Sequence, residues 1–372
     1  GRRGWEQDVF IPRKYGIYQP VGDSVMPGGT SRCLRMIPPM VAIAEDVLDL
    51  APTALFFNYG NPMSVVCRAV RKATKAEVTG LCIGVFEIGR HLARRVGAEL
   101  SEFEYTAVGI NHLTWFTEIR VRGEDAMPRL RAVIDEQLSG GYSAEYLNTG
   151  SQEHGTAGSE DAPLDSIQPL CSHLFQVFGA YPAVGDRHVS EFFPAFFPEG
   201  KHFGKTLGVD RFSFERTIAS GDRIYEEMRE KALSSEPLGE DYFARIGGEH
   251  EQAIDIIESI RRDLGRVYCA NLPNQGQVPN LPPDAIVEAP AVATGAGMKA
   301  LAQRPLPAGV AGTLAQRYAW VETVVEAALE GSREKFIQAL ALDGWVTNLD
   351  TAAKLADELL AAHAKFLPQF GK

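Results

Sequence analysis

The sequence has little of what would announce a disulfide scaffold. Five cysteines (Cys33, Cys67, Cys82, Cys171, Cys269) are scattered over 372 residues, and none is spaced as C-x-x-C. An odd, scattered set argues against a disulfide framework and suits reduced thiols in the cytoplasm. Long apolar runs are missing as well: no stretch reaches membrane-spanning length and no signal peptide is visible, so no membrane partner is expected. Positive charge is in deficit, with 37 Lys and Arg against 48 Asp and Glu, a net charge of -11. Such a surface repels phosphates and speaks against nucleic acid or an anionic membrane. It does not forbid an anionic substrate, because a few local Arg or Lys residues outvote a distant acidic surface. A glycine-rich phosphate loop is also lacking. Gly295-Ala296-Gly297-Met298-Lys299-Ala300 matches G-x-G-x-x-A, with Glu322 downstream for a ribose. However, Pro290 spoils the strand that should precede it, so the segment reads as an ordinary turn.

What is present is enough apolar material, 45% of residues, for one large or two ordinary domains. Residues 1–32 are rich in Gly and Pro and end in the turn signal Pro27-Gly28-Gly29. Apolar residues from Leu34 to Val47 recur at helical spacing and predict a helix over 31–50. Ala54-Leu55-Phe56-Phe57 reads as a buried strand running into Asn58-Tyr59-Gly60-Asn61-Pro62. A helix over about 63–74, a strand over 78–85 and a helix over 86–97 follow. This alternation predicts a parallel α/β sheet with chemistry at the C-terminal strand ends. A strand at 104–110 leads into Asn111-His112. Residues 139–166 are polar and aperiodic and read as a mobile surface loop, an active-site lid. The last third is mostly helical. A helix runs from about Leu314 to Glu330 with Gly331 as C-cap, Ser332 caps the next one, and a last helix covers about 350–365.

Four islands gather the polar residues an active site needs. They are Asn58-Tyr59-Gly60-Asn61-Pro62; Gly80-Leu81-Cys82; Gly109-Ile110-Asn111-His112-Leu113-Thr114-Trp115; and Gly185-Asp186-Arg187-His188 with Glu191-Phe192-Phe193-Pro194. Cys82 and His112 can supply one thiolate and one imidazole to a divalent ion, leaving positions open for substrate and water. Equally, Cys82 can be a small buried apolar residue and His112 a hydrogen-bonded core residue. The Asp186-Arg187-His188 cluster can be a site or a structural ion-pair knot.

In order and separation, these islands resemble glycoside hydrolase family 4. The resemblance extends through Arg32, Arg35 and Pro38, through 271–276 and 280–288, and into 326–343, and so spans nearly the whole chain. Within the family, 109–115 and 183–188 are most similar to the α-galacturonidase/α-glucuronidase branch. It implies an α/β fold: an incomplete Rossmann-type NAD-binding domain (1–84) followed by a lactate/malate-dehydrogenase C-terminal-like α+β domain (85–372). The chain opens Gly1-Arg2-Arg3 without Met, and an N-terminal truncation that removes the nucleotide-gripping strand–loop–helix is expected. The resemblance also implies a cytoplasmic homodimer or homotetramer acting on a small-molecule glycoside.

The mechanism implied by the resemblance is an exception among glycosidases, most of which use two carboxylates. NAD⁺ oxidises the sugar at C3, a base takes the C2 proton, the glycosidic oxygen leaves, water adds and the hydride returns. Mn²⁺ on the C2 and C3 oxygens stabilises the enediolate. By matching position, Cys82 and His112 would hold the metal. Asp186 would be the base, with Tyr181 competing for that role. Asn61 and Asn111 would bind sugar, Arg187 and His188 a uronate carboxylate with Arg35 on the substrate side, and Asn58, Gly28 and Gly29 the cofactor. Ile83 departs from the family, which usually has a polar residue after the metal-binding Cys. Ile can neither donate nor accept a proton, and general-acid help is worth roughly 10²–10⁴-fold. Gly60, where Thr is frequent, is a milder departure. A 2-hydroxy-acid dehydrogenase, which needs no metal, and a non-catalytic sugar-binding relative are the competing readings.

Overall fold

The structure is a computed structural model, and it describes residues 2–140, 168–243 and 249–371. Most helices follow from apolar spacing. Helix α1 (Arg2–Arg13) packs against α2 (Met26–Leu50), where Leu34, Ile37 and Ala44 share one buried face. Pro27 sits in the first turn of α2, where its missing N–H costs nothing. In α3 (Met63–Thr74), Met63, Val66, Cys67 and Val70 repeat at i, i+3, i+4 and i+7, and Lys75 closes the helix in a left-handed conformation. In α4 (Gly84–Arg95), Val85, Ile88 and Leu92 do the same. Helix α5 spans Met127–Ser139. A long helix, Ala308–Glu330, lies across α2 and α3, and its buried Trp320 donates Nε1–H to Thr30 Oγ1 at 3.2 Å. Gly331 caps it in the left-handed region, and Ser332 Oγ accepts Lys335 N–H to start the helix Arg333–Asp343, both as expected.

The strands are β1 (Phe57–Asn58), β2 (Thr79–Gly80), β3 (Phe103–Ile110), β4 (Leu113–Val121), β5 (Glu124–Asp125) and β6 (Tyr181–Pro182). A small hairpin, β7 (Lys201–His202) and β8 (Lys205–Thr206), follows, and then β9 (Arg266–Pro273), β10 (Ile286–Thr294) and β11 (Gly297–Ala300). Nine of them form one sheet in the order β1-β2-β9-β10-β3-β4-β5, with β11 on β10 and β6 on β4. The predicted parallel pairing is present in β1 and β2, while the neighbours from β9 onward are antiparallel. A parallel pair joined by α3, then an antiparallel sheet carrying helices, is the two-part α/β architecture expected. Trp115, Phe116, Tyr181, Phe175 and Phe336 fill the main core.

Three expectations change. Residues 2–13 are helical and carry Gly4 and Pro12 within the helix, while most of the Gly and Pro that suggested loop, from Gly16 onward, lies beyond its end at Arg13. The strand expected over 78–85 pairs only at Thr79–Gly80, and α4 already starts at Gly84. This leaves Leu81-Cys82-Ile83 as a tight strand-to-helix turn. Pro290 lies inside β10 opposite Cys269, and its carbonyl accepts Leu301 N–H, so the residue argued to forbid a strand is in one. The segment 295–300 is nonetheless a turn, the β10–β11 hairpin with Gly297 at φ 88°. The lid expected at 139–166 lies outside the described residues except for Ser139 and Gly140. Among the described residues, no helix is long and apolar enough to cross a membrane.

Candidate functional site

Three chain segments meet where β3 turns into β4. Ile110 pairs with Leu113, so the hairpin turns on two residues, Asn111 and His112, and His112 sits at φ 66°. Gly109 is required beneath it: a Cβ there would lie 2.4 Å from Leu113 O and 2.7 Å from Thr114 Cα. The segment leading into α2 supplies Asp23, and the short helix Asp186–Val189 supplies His188. A carboxylate oxygen of Asp23 and ring nitrogens of His112 and His188 all lie within 4.8 Å of one another, and the two imidazole centroids are 4.3 Å apart. Ser24 Oγ donates to Asp23 Oδ1 at 2.8 Å and sits 3.1 Å from His112 Nδ1. Asn61 Nδ2 donates to Asp23 Oδ2 at 3.3 Å. His112 is buried, while Asp23 and His188 are half-buried.

The electrostatics suit a cation. Burial lowers the pKa of His112 against the pull of Asp23, and burial followed by the charge of His112 pushes His188 down to about 3. Burial would raise Asp23, but His112, His188, the Ser24 hydrogen bond and Arg32 outweigh it and keep the carboxylate below its usual range. Nδ1 of His188 is buried without a hydrogen-bond partner. Two imidazoles and one carboxylate, with one ring nitrogen unpartnered, are a donor set that fits a divalent ion. The carboxylate oxygen suits Mn²⁺ better than a soft thiolate does. At the rim, half-buried Arg32 donates Nε–H to Asn61 O at 3.2 Å, and its other guanidinium nitrogens make no hydrogen bond among the described residues.

The structure brings together His112, His188 and Asn61 from the expected residues, and adds Asp23. Cys82 lies outside the cluster. Its Sγ faces Gly84 N–H at 3.5 Å, in the turn between β2 and α4. Asp186 is corrected. It is fully buried, and its two oxygens accept Leu170 and Cys171 N–H at 3.0 Å each, at the start of the helix Pro169–Phe178. Burial raises its pKa, but His202 and those amides outweigh burial and hold it down. An inaccessible, stabilised carboxylate is a helix anchor and a poor base. Tyr181, the competitor, is fully buried in β6, opposite Phe116.

Further corrections concern binding roles. Arg187 spends Nε and NH2 on Pro20 O and Thr217 Oγ1, and Arg35 is locked on Asp8, which also takes His363 Nε2 at 2.9 Å. Asn111 is aimed inward, at Glu288. Asn58 closes its own turn with both side-chain ends on Gly60. Gly28 gives its N–H to Gln19 Oε1, and Gly29 gives its own to Val25 O. A Cβ at Gly28 would meet Asp8 O at 2.5 Å, and one at Gly29 would meet Ser24 C at 2.5 Å. These glycines serve close packing. The three residues assigned to NAD therefore do not fit that role.

Sequence reasoning missed Asp23 and Glu288, and it placed Glu191 in the fourth island without a role. Asp23 had a signal, the Gly22-Asp23-Ser24 turn just before α2. Glu191 holds that turn, its Oε1 accepting Val21 N–H at 3.1 Å and Gly22 N–H at 2.8 Å. Burial, then the nearby charge of Asp23, raises the Glu191 pKa well above normal.

The comparisons with known proteins agree with one another. Residues 3–98 match the family model described as "Family 4 glycosyl hydrolase", and residues 107–346 match "Family 4 glycosyl hydrolase C-terminal domain". The chain is 33% identical over 346 residues to an alpha-galacturonidase of Bacillus subtilis (strain 168), covering 91% of this chain and 73% of the relative. It superposes with TM-score 0.79 and 30% identity on the crystal structure of lplD from Bacillus subtilis, covering 96% of this chain and 80% of the other. A 6-phospho-alpha-glucosidase from gut microorganisms, solved in complex with NAD and Mn²⁺, shares the fold at TM-score 0.79 and 21% identity, with 99% and 80% covered. Matched at both ends and aligned over nearly its whole length, the chain belongs to family 4 of the glycosyl hydrolases.

Proposed function

We propose that the protein hydrolyses α-glycosides of uronic acids, α-galacturonides first, at a divalent-metal site formed by Asp23, His112 and His188. The observation that carries this reading is the convergence of those three donors within 4.8 Å, bordered by Asn61. When bound, Mn²⁺ supplies Lewis acidity toward sugar oxygens. Around it, Asp23 brings the charge, and the two imidazoles, unprotonated at neutral pH, need shed no proton to ligate. The guanidinium of Arg32 beside Asn61 provides a planar donor pair for a uronate carboxylate, the task the resemblance implied for Arg187 and His188. Ile83, at the first position before α4, offers no proton to a departing oxygen, so the reading favours substrates with good leaving groups.

NAD comes to this reading from the family neighbour and supplies a hydride acceptor when bound. Asn58, Gly28 and Gly29 are taken up by hydrogen bonds within the chain and do not fit it. We divide the chain at 84/85, supported by the parallel pair on one side and the antiparallel strands on the other. A reducing, cytoplasmic setting is supported by five free thiols. A homodimer or homotetramer is supported by exposed Ile224, Tyr225, Met228 and Leu233 along the helix Phe214–Leu233.

The test is turnover of aryl α-galacturonide, α-glucuronide and α-galactoside by the full-length protein with NAD⁺, Mn²⁺ and reductant. Selectivity for the uronides is expected. Equal turnover of the neutral galactoside sinks the uronide preference, and no turnover of any, with no exchange of the C2 proton for deuterium, sinks the enzymatic reading.

A further inference from the structure

Glu288 lies in β10, 2% exposed, directly opposite Asn271 of β9 on one side and Gly109 of β3 on the other. Directly opposed residues of an antiparallel pair share a face of the sheet. Asn271 Nδ2 accordingly donates to Glu288 Oε1 at 2.9 Å, and it also reaches Gly80 O at 3.4 Å. Asn111 Nδ2 approaches the same Oε1 at 3.4 Å, and Oε2 meets Thr114 Oγ1. One carboxyl group therefore touches the residue before His112 and the residue two after it. Through Asn271 it also reaches the strand end two residues before Cys82.

A proton count fixes the state of this group. Thr114 has a single hydroxyl proton, and Ile110 O lies 3.1 Å from its Oγ1. Were Glu288 ionised, that one proton would face two acceptors, Ile110 O and Glu288 Oε2. With a proton on Oε2, each contact has one donor and one acceptor. Oε2–H gives to Thr114 Oγ1, Thr114 gives to Ile110 O, and both amides give to Oε1. The titratable neighbours are Tyr105, Cys269 and Tyr318, none of which brings a positive charge. Burial raises the Glu288 pKa, outweighing its hydrogen bonds to Thr114, Asn271 and Asn111.

We infer that Glu288 is a positioning residue, kept as a neutral carboxylic acid, that ties the Asn111–His112 turn to the end of β2. It touches neither metal nor sugar. It sets the hairpin on which His112 rides, because the contacts of one buried carboxyl group with Asn271, Asn111 and Thr114 hold the two segments in one geometry. The inference rests on placing the reaction at His112.

The experiment compares E288Q, E288L and, as a control on that placement, H112A, each in the full-length protein. Circular dichroism checks folding, electron paramagnetic resonance of free Mn²⁺ reads metal affinity, and an aryl α-galacturonide reads kcat and KM. Gln reproduces the neutral acid: its carbonyl serves the two amides and its NH₂ serves Thr114. E288Q is therefore expected to keep Mn²⁺ affinity and kcat/KM within about threefold, while E288L loses about 10–100-fold, as lost outer-sphere partners do. Infrared difference spectra at neutral pH should show a carboxylic-acid carbonyl band in the wild type that E288Q lacks. Absence of that band, or E288Q as damaged as E288L, overturns the neutral acid. A folded E288L with wild-type constants, alongside an inactive H112A, overturns the positioning role alone. An active H112A overturns the placement of the reaction itself. Should E288L fail to fold, E288Q and the infrared band still decide.

Discussion

Replacing Asp23 by Asn tests the proposed metal centre most directly. The substitution preserves shape: Oδ1 can still accept from Ser24 Oγ, and the Asn61 amide can turn to meet the new NH₂. What disappears is the single negative charge among the three donors, leaving two imidazoles 4.3 Å apart with no anionic ligand. Loss of a partner that merely orients a ligand costs about 10–100-fold in metal affinity. Asp23 would touch the ion itself, so a loss of about 100-fold or more is expected, or ~2.8 kcal/mol at 1.4 kcal/mol per decade. Mn²⁺ titrations followed by electron paramagnetic resonance read the affinity without reference to turnover. Cys82→Ser is the matched comparison and should change affinity by less than about threefold, because its sulfur lies outside the cluster. The opposite pattern, D23N near wild type with C82S losing the ion, would falsify the site and return the metal to the thiolate.

Other substitutions probe the surroundings. Gly109→Ala forces a Cβ against Leu113 O and Thr114 Cα. It should cost about 1–3 kcal/mol of stability by calorimetry and about 10²-fold in kcat/KM through displacement of His112; an unchanged kcat/KM would separate the hairpin from the chemistry. Arg32→Gln should raise KM for an aryl α-galacturonide about tenfold or more while sparing the neutral galactoside, and a parallel rise for both would remove Arg32 from carboxylate recognition. The depressed pKa of Asp186 contributes stability that is present above its unfolded value of about 3.9 and is lost as pH falls through the folded value. Asp186→Asn should therefore cost about 1–3 kcal/mol at pH 7, with the deficit narrowing below pH ~4; denaturant melts at both pH values that show a constant deficit would refute the charge assignment.

Much of the fold could be read from one-dimensional patterns, because a helix advertises its buried face within two turns. Leu34 and Ile37 in α2 and Met63, Val66, Cys67 and Val70 in α3 are such cases, as is the Gly331-Ser332 junction between C-terminal helices. The strand leading into His112 was equally visible, breaking at Asn111, whereas its return strand β4 was not expected. The glycines at 28 and 29 and the cluster at 186–188 were conspicuous too, but conspicuousness does not say which way a side chain points. Gly28 turned out to make room for Asp8 O, Asp186 to anchor the helix Pro169–Phe178, and Arg187 to hold Pro20 O.

The sequence by itself determined the family, the helix pattern and the strand that leads to His112, since each is written in short-range spacing and in ordered motifs. Only the tertiary structure decided the site's membership. Asp23, His112 and His188 are separated by tens of residues, and nothing local in the chain sets the distance between their side chains. The same holds for Glu288, an ordinary strand residue in sequence. The nine-stranded sheet brings it against Asn271, Asn111 and Thr114, and burial there makes proton count and hydrogen-bond geometry decide what it is.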